Sequence, residues 1–155
     1  MDDRTFRNAM GRFATGVTVI TAKTDVDIYG MTANAFMSVS LNPKLITVSI
    51  DNQANILEKL QESRQFAVNI LSDRQQDISM HFAGQTNEDR KIDFGFIQGI
   101  PVLKDSLVSV ACNVKNAYVV GDHTLFIGEV IDLKSTKGDP LTFYAGKYGA
   151  NFIVS

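Results

Sequence analysis

Val17-Thr18-Val19-Ile20-Thr21-Ala22 is a run of β-branched side chains closed by a small one. Such residues lose rotamer freedom in a helix and pack well on a pleated surface, so the run predicts a buried strand. Upstream, Phe6, Ala9, Met10 and Phe13 recur at helical spacing, the stripe of an amphipathic helix that Asp2 or Asp3 can cap and Gly16 can end. Downstream, a polar turn at residues 23–27 leads into a second extended stretch over 28–39. Asn42-Pro43 closes it, because proline has no N–H to give a ladder.

The pattern continues along the chain. Residues 45–50 and 66–71 read as strands, separated by a short helix over 55–61 whose apolar face is Ile56, Leu57 and Leu60. Ser72-Asp73-Arg74-Gln75 matches a capping box and predicts a helix from 73 to 82. Residues 84–99, rich in turn formers, read as an irregular surface excursion. Val108, Val110, Cys112 and Val114 alternate with Ser109, Ala111 and Asn113, a strand with one wetter face. Gly121-Asp122 is a two-residue hairpin signal between strands at 118–120 and 123–133. The expected fold class is mainly β with short helices, one domain over 1–155. Its sheet of six or seven strands would be closed or nearly closed into a barrel, with large cofactors at the rim or at a subunit boundary.

Composition narrows the function. Fifteen basic against seventeen acidic residues give a net charge of −2, with the basic ones scattered, which argues against nucleic acid as a partner. A single cysteine, Cys112, allows no intrachain disulfide, and it reads as a small apolar core residue. Two histidines, His81 and His123, do not make a zinc site, so no metal is expected. The start of the chain lacks the basic and apolar regions of a secretory signal, and no apolar run is long enough to cross a bilayer, so the expected compartment is the cytoplasm.

Neither GxGxxG nor GxxxxGK[ST] nor GxSxG occurs, so a nucleotide would bind without a Rossmann turn or phosphate loop, and a hydrolase elbow is absent. The unusual stretch is 30–43, where Thr32, Ala33, Ala35, Ser38 and Ser40 put small and hydroxyl side chains into an expected strand. Small residues let a flat ring approach the backbone, and they equally mark a bulge or tight packing between chains. Gln53-Ala54-Asn55 opens a helix whose free amides suit a phosphate, with Lys59 one turn on; a plain capped surface helix is the alternative. His123 follows a hairpin turn, where an imidazole can meet a ligand or simply be polar.

Six ordered blocks then carry a resemblance: FRNAMGRFATGVTVIT from Phe6, GMTANAFMSVSLNP from Gly30, FAVNIL from Phe66, HFAGQ from His81, GDHTLFIGEV from Gly121 and DPLTFYAGKY from Asp139. Together they resemble the short-chain flavin reductases, the reductase components of two-component flavin-dependent monooxygenases, phenol 2-hydroxylase above all. The resemblance implies an FMN-binding split β-barrel, a homodimer, and hydride transfer from NADH (or NADPH) to FAD (or FMN). Reduced flavin would go to a partner aromatic-hydroxylating oxygenase. It also implies flavin-ring contacts at Thr32, Ala33, Asn34, Ala35, Phe36, Ser38, Val39 and Ser40, and a phosphate end at Gln53, Ala54, Asn55 and Lys59. A second flavin segment falls at Phe82, Ala83, Gly84 and Gln85, and nicotinamide or partner contacts at His123 and Tyr148. No catalytic side chain is expected, because the cofactors carry the chemistry. The tail after Gly149 extends beyond the last block. Two other readings stay open: an FMN-dependent amine oxidase of the pyridoxamine-phosphate-oxidase type, and a flavin-binding electron carrier or redox sensor.

Overall fold

The β-branched run forms the strand next to one edge of a seven-stranded sheet whose curvature is imposed by one short link. A computed structural model describes residues 1–86 and 89–149. In chain order the elements are α1 (Asp3–Met10), β1 (Thr15–Gly16), β2 (Thr18–Lys23), β3 (Ile28–Ala33), β4 (Phe36–Leu41), β5 (Lys44–Asp51), α2 (Asn55–Ser63), β6 (Gln65–Ile70), a 3₁₀ turn (Asp73–Gln75), α3 (Gln76–Phe82), β7 (Phe94–Ile97), β8 (Ile100–Leu103), β9 (Val108–Val120), β10 (His123–Ser135), β11 (Thr142–Tyr144) and β12 (Lys147–Gly149). The large sheet runs β3-β2-β6-β9-β10-β5-β4, and every neighbouring pair is antiparallel.

Its two outermost strands are therefore consecutive in sequence and point the same way. Laid flat, seven strands would hold their edges about 29 Å apart. Only Asn34 and Ala35 separate β3 from β4, and three Cα steps reach at most about 11 Å. The sheet must roll until its edges meet. The extended stretch expected over 28–39 is thus two strands: its first half pairs with β2, it breaks at Asn34-Ala35, and its second half pairs with β5. No ladder joins β3 to β4, so the sheet is rolled but not closed into a barrel, which leaves the second of the two expected forms, closed or nearly closed.

Rolling turns one face of every strand inward. Ile20, Ile46, Val48, Ile50, Phe66, Val68, Cys112 and Phe126 form one buried cluster, with Met31 from one edge and Phe36 from the other packed against it. Cys112 belongs to this core, and burial pushes its thiol up to about 12. α2 contributes Ile56 and Leu60.

Three other expectations are corrected. α1 ends at Gly11 rather than Gly16, leaving Phe13 outside the helix and exposed. The excursion at 84–99 contains β7, paired with β8 through Gln98-Gly99, both at positive φ. That hairpin covers the face of β9 expected to be wet: Ala111 is buried with Ile97, Ile100 and Val102. The capping box is borne out, with Ser72 N–H donating to Gln75 Oε1 at 3.0 Å, and the helix it opens begins as a 3₁₀ turn. Residues 150–155, and with them the extended tail, lie outside the described residues.

Candidate functional site

The seam where the sheet edges meet borders a cleft of about 1210 Å3. Thr15, Gly16, Thr18 and Ile70 line one side, Thr47, Ser49 and Leu125 the other, and Asn34, Ala35, Phe36 and Met37 lie between them. α1 overhangs it with Phe6, Arg7 and Met10, and the β11–β12 turn adds Ala145 and Gly146. Ala145 N–H holds Gly11 C=O at 2.9 Å, tying that turn to the end of α1.

Strand breaks free main-chain groups, and this one frees donors. Ala33 C=O takes the Thr18 hydroxyl at 2.6 Å, Asn34 C=O takes Phe36 N–H, and Ala35 C=O takes Ser49 N–H. The amides of Asn34 and Ala35 donate to no protein group among the described residues. Two neighbouring N–H groups beside an apolar cleft suit the polar edge of a flat heterocycle.

β5 leads from the cleft to a second donor group. Its outward residues Thr47, Ser49 and Asp51 alternate with buried Ile46, Val48 and Ile50, and the chain then turns into α2. The N-cap of α2 is Ala54, which has no side chain to cap with. Gln53 N–H is satisfied by Asp51 Oδ1 at 2.8 Å and Ala54 N–H by Asp51 C=O, leaving the amides of Asn55 and Ile56 open to an anion. Asn52 braces this corner against the β9–β10 turn, bonding Gly121 C=O and the Thr124 hydroxyl. His123 stands opposite Asp51, with Nδ1 2.7 Å from Asp122 Oδ1. That hydrogen bond first, then the imidazole's charge, holds the Asp122 carboxyl below its ordinary range, and Arg7 adds to it.

The structure distributes the remaining expected contacts. Thr32 gives its hydroxyl to Ser79 C=O, and Tyr148 pairs with the Ser79 hydroxyl. Ser38, Val39 and Ser40 sit at a bulge on β4. Lys59 lies over the Tyr29 ring, its Nζ 4.8 Å from the centroid. Phe82 lies against Gly30, while Ala83, Gly84 and Gln85 are exposed beyond α3. Sequence reasoning missed Arg7, Arg12, Thr47 and Ser49 in the cleft. The alternation along β5 marks Thr47 and Ser49 as outward; nothing local marks the arginines.

Residues 10–151 match the flavin reductase like domain. The chain belongs to the flavin reductase family. It is 43% identical over 145 residues to an NADH-dependent flavin reductase of Rhodococcus, covering 92% of this chain and 82% of that one. It is 34% identical over 144 residues to the reductase component of 4-hydroxyphenylacetate 3-monooxygenase of Thermus thermophilus, covering 92% and 93%. The solved structure of the flavin reductase PheA2 in its native state superposes with a TM-score of 0.97 at 57% identity, covering 99% of this chain and 100% of that one. The residues of this flavin reductase also fit the group the family name implies: two unpaired amides for a ring edge, and an uncapped helix start for a phosphate.

Proposed function

We propose that this chain is an NADH-dependent flavin reductase that supplies reduced FAD, with FMN as an alternative, to a partner aromatic-hydroxylating oxygenase in the cytoplasm. The observation that carries the reading is the pair of unpartnered amides at Asn34 and Ala35 on a cleft roomy enough for stacked rings. A flavin held here would supply the hydride acceptor for a dihydronicotinamide, with no acid or base required of the protein. The protein's own share is placement. The Asn34 and Ala35 amides would hold the ring edge that gains negative charge, and the open amides of Asn55 and Ile56 would hold the phosphate end. Phe36 and the overhanging Phe6 and Met10 exclude water. His123, oriented by Asp122, meets the nicotinamide nucleotide.

Anaerobic titration of the flavin-loaded protein with NADH tests this directly, and the visible flavin band should bleach at one equivalent. A band that NADH and NADPH both leave intact would support the carrier reading instead, and bleaching by an amine alone would support the oxidase.

We also infer a homodimer. Phe6 and Met10 on α1 are 53% and 56% exposed, Leu41 on the unpaired edge β4 is 86% exposed, and Val119 near the end of β9 is 74% exposed. Isolated chains rarely carry so much apolar surface beside a bare sheet edge. Sedimentation should give twice the 17.1 kDa chain mass, and Leu41→Lys should shift the population to monomer by burying a lysine charge in the interface. A parent that sediments at the single-chain mass would refute the dimer.

A further inference from the structure

A buried residue that ties the seam to the cleft wall lies outside the cleft and among none of the expected contacts. Ser79, in the middle of α3, is fully buried, and both of its polar groups are engaged across elements. Its hydroxyl lies 2.8 Å from the Tyr148 hydroxyl on β12. Its carbonyl accepts from the Thr32 hydroxyl on β3 at 2.6 Å, as well as from Ala83 N–H within the helix end. Thr32 is two residues before the seam. Tyr148 belongs to the hairpin that carries Ala145 and Gly146 of the cleft wall and that pairs with β1. One serine thus links the seam, the cleft wall and α3.

A steric fit supports the same docking. Phe82, the last residue of α3, packs on β3 where Gly30 has no side chain, and a Cβ there would come within 2.5 Å of the ring. α3 can therefore sit at one depth on β3, and the Ser79 bonds select its rotation and slide. The segment that continues from α3, Ala83 to Gln85, inherits that placement.

We propose that Ser79 is a positioning residue for flavin binding, holding Thr32 of β3 and Tyr148 of the β11–β12 hairpin so that the seam and the cleft wall at Ala145 and Gly146 keep their places. This rests on the flavin-site reading above. It assigns the Thr32 and Tyr148 hydroxyls to Ser79 rather than to the flavin.

The test is a double-mutant cycle of Ser79→Ala and Tyr148→Phe, reading flavin KM, kcat and melting temperature, with Ile92→Val as a packing control in the same cluster. Tyr148→Phe keeps the ring contact with Phe143 and serves if Ser79→Ala does not fold. Each single variant should raise flavin KM about five-fold with kcat held within about two-fold. Because both remove one hydrogen bond, the double variant should match a single one rather than multiply. An unchanged KM in both singles, a multiplicative double, or an equal KM rise in Ile92→Val would overturn the proposal. Ala35→Pro separates the two layers: if it impairs flavin use while Ser79→Ala and Tyr148→Phe do not, only the positioning role falls. If none of the three affects flavin, the site reading falls and the proposal with it.

Discussion

An Ala35→Pro variant is expected to keep its fold and lose about a hundredfold in kcat, the cost of removing one preorganised donor from a developing negative charge. The argument turns on what proline deletes. Ala35 is exposed, its side chain is a single methyl, and its N–H has no partner among the described residues, whereas its C=O, which proline retains, accepts from Ser49 N–H. Removing the N–H therefore breaks no bond of the fold. Proline also disfavours helical geometry in the residue before it, and Asn34 here is a link between two extended strands. The melting temperature should stay within about 3 °C of the parent, equivalent to roughly 1 kcal/mol for a domain this size. Ala35→Gly, which keeps the N–H, should retain most of kcat, and steady-state NADH oxidation with saturating flavin measures both. A proline variant that turns over at the parental rate would show that the seam amide does not meet the ring.

The parts of this fold legible in the sequence are those governed by local preference. β2 follows from its β-branched run, β5 from strict alternation, the β9–β10 hairpin from Gly121-Asp122, and the Ser72 box from its spacing. What was not legible depends on partners distant in sequence. The run from Ile28 to Leu41 has strand composition throughout, so its break at Asn34-Ala35 shows only when β2 and β5 are seen to take one half each. Gln98-Gly99 is a weak hairpin signal beside Pro101, and missing it hid the cover over Ala111. The candidate site was legible in outline through the family blocks, which point to residues 32–36 and 53–55. Hydroxyl-bearing side chains were the weak point, since a threonine that contacts a ligand and one that clamps a helix look alike in sequence. Thr32 is the second kind in its geometry.

The hidden layer makes the largest stability prediction. Asn69 on β6 is fully buried and faces away from the core of the rolled sheet, toward the β7–β8 hairpin. Its amide nitrogen donates to Val19 C=O at 2.9 Å and Thr21 Oγ1 at 3.0 Å, and its oxygen accepts from Leu103 N–H at 2.9 Å and the Ser109 hydroxyl at 2.8 Å. All four hydrogen-bonding positions of the side chain are used, and Thr21 passes the network on to Pro101 C=O. Asn69→Ala leaves the Leu103 N–H and the Ser109 hydroxyl buried without acceptors, each costing about 1–3 kcal/mol. A loss near 3 kcal/mol is expected, a fall of about 6–12 °C in melting temperature. Because the orphaned donors cause the loss, deleting one should restore part of it: Asn69→Ala with Ser109→Ala should be less destabilised than the two single changes combined. Strict additivity in thermal melts would mean that water, rather than the asparagine, can satisfy this layer. Flavin KM should change little in either variant while it remains folded, since Asn69 and Ser109 face the hairpin and neither lines the cleft.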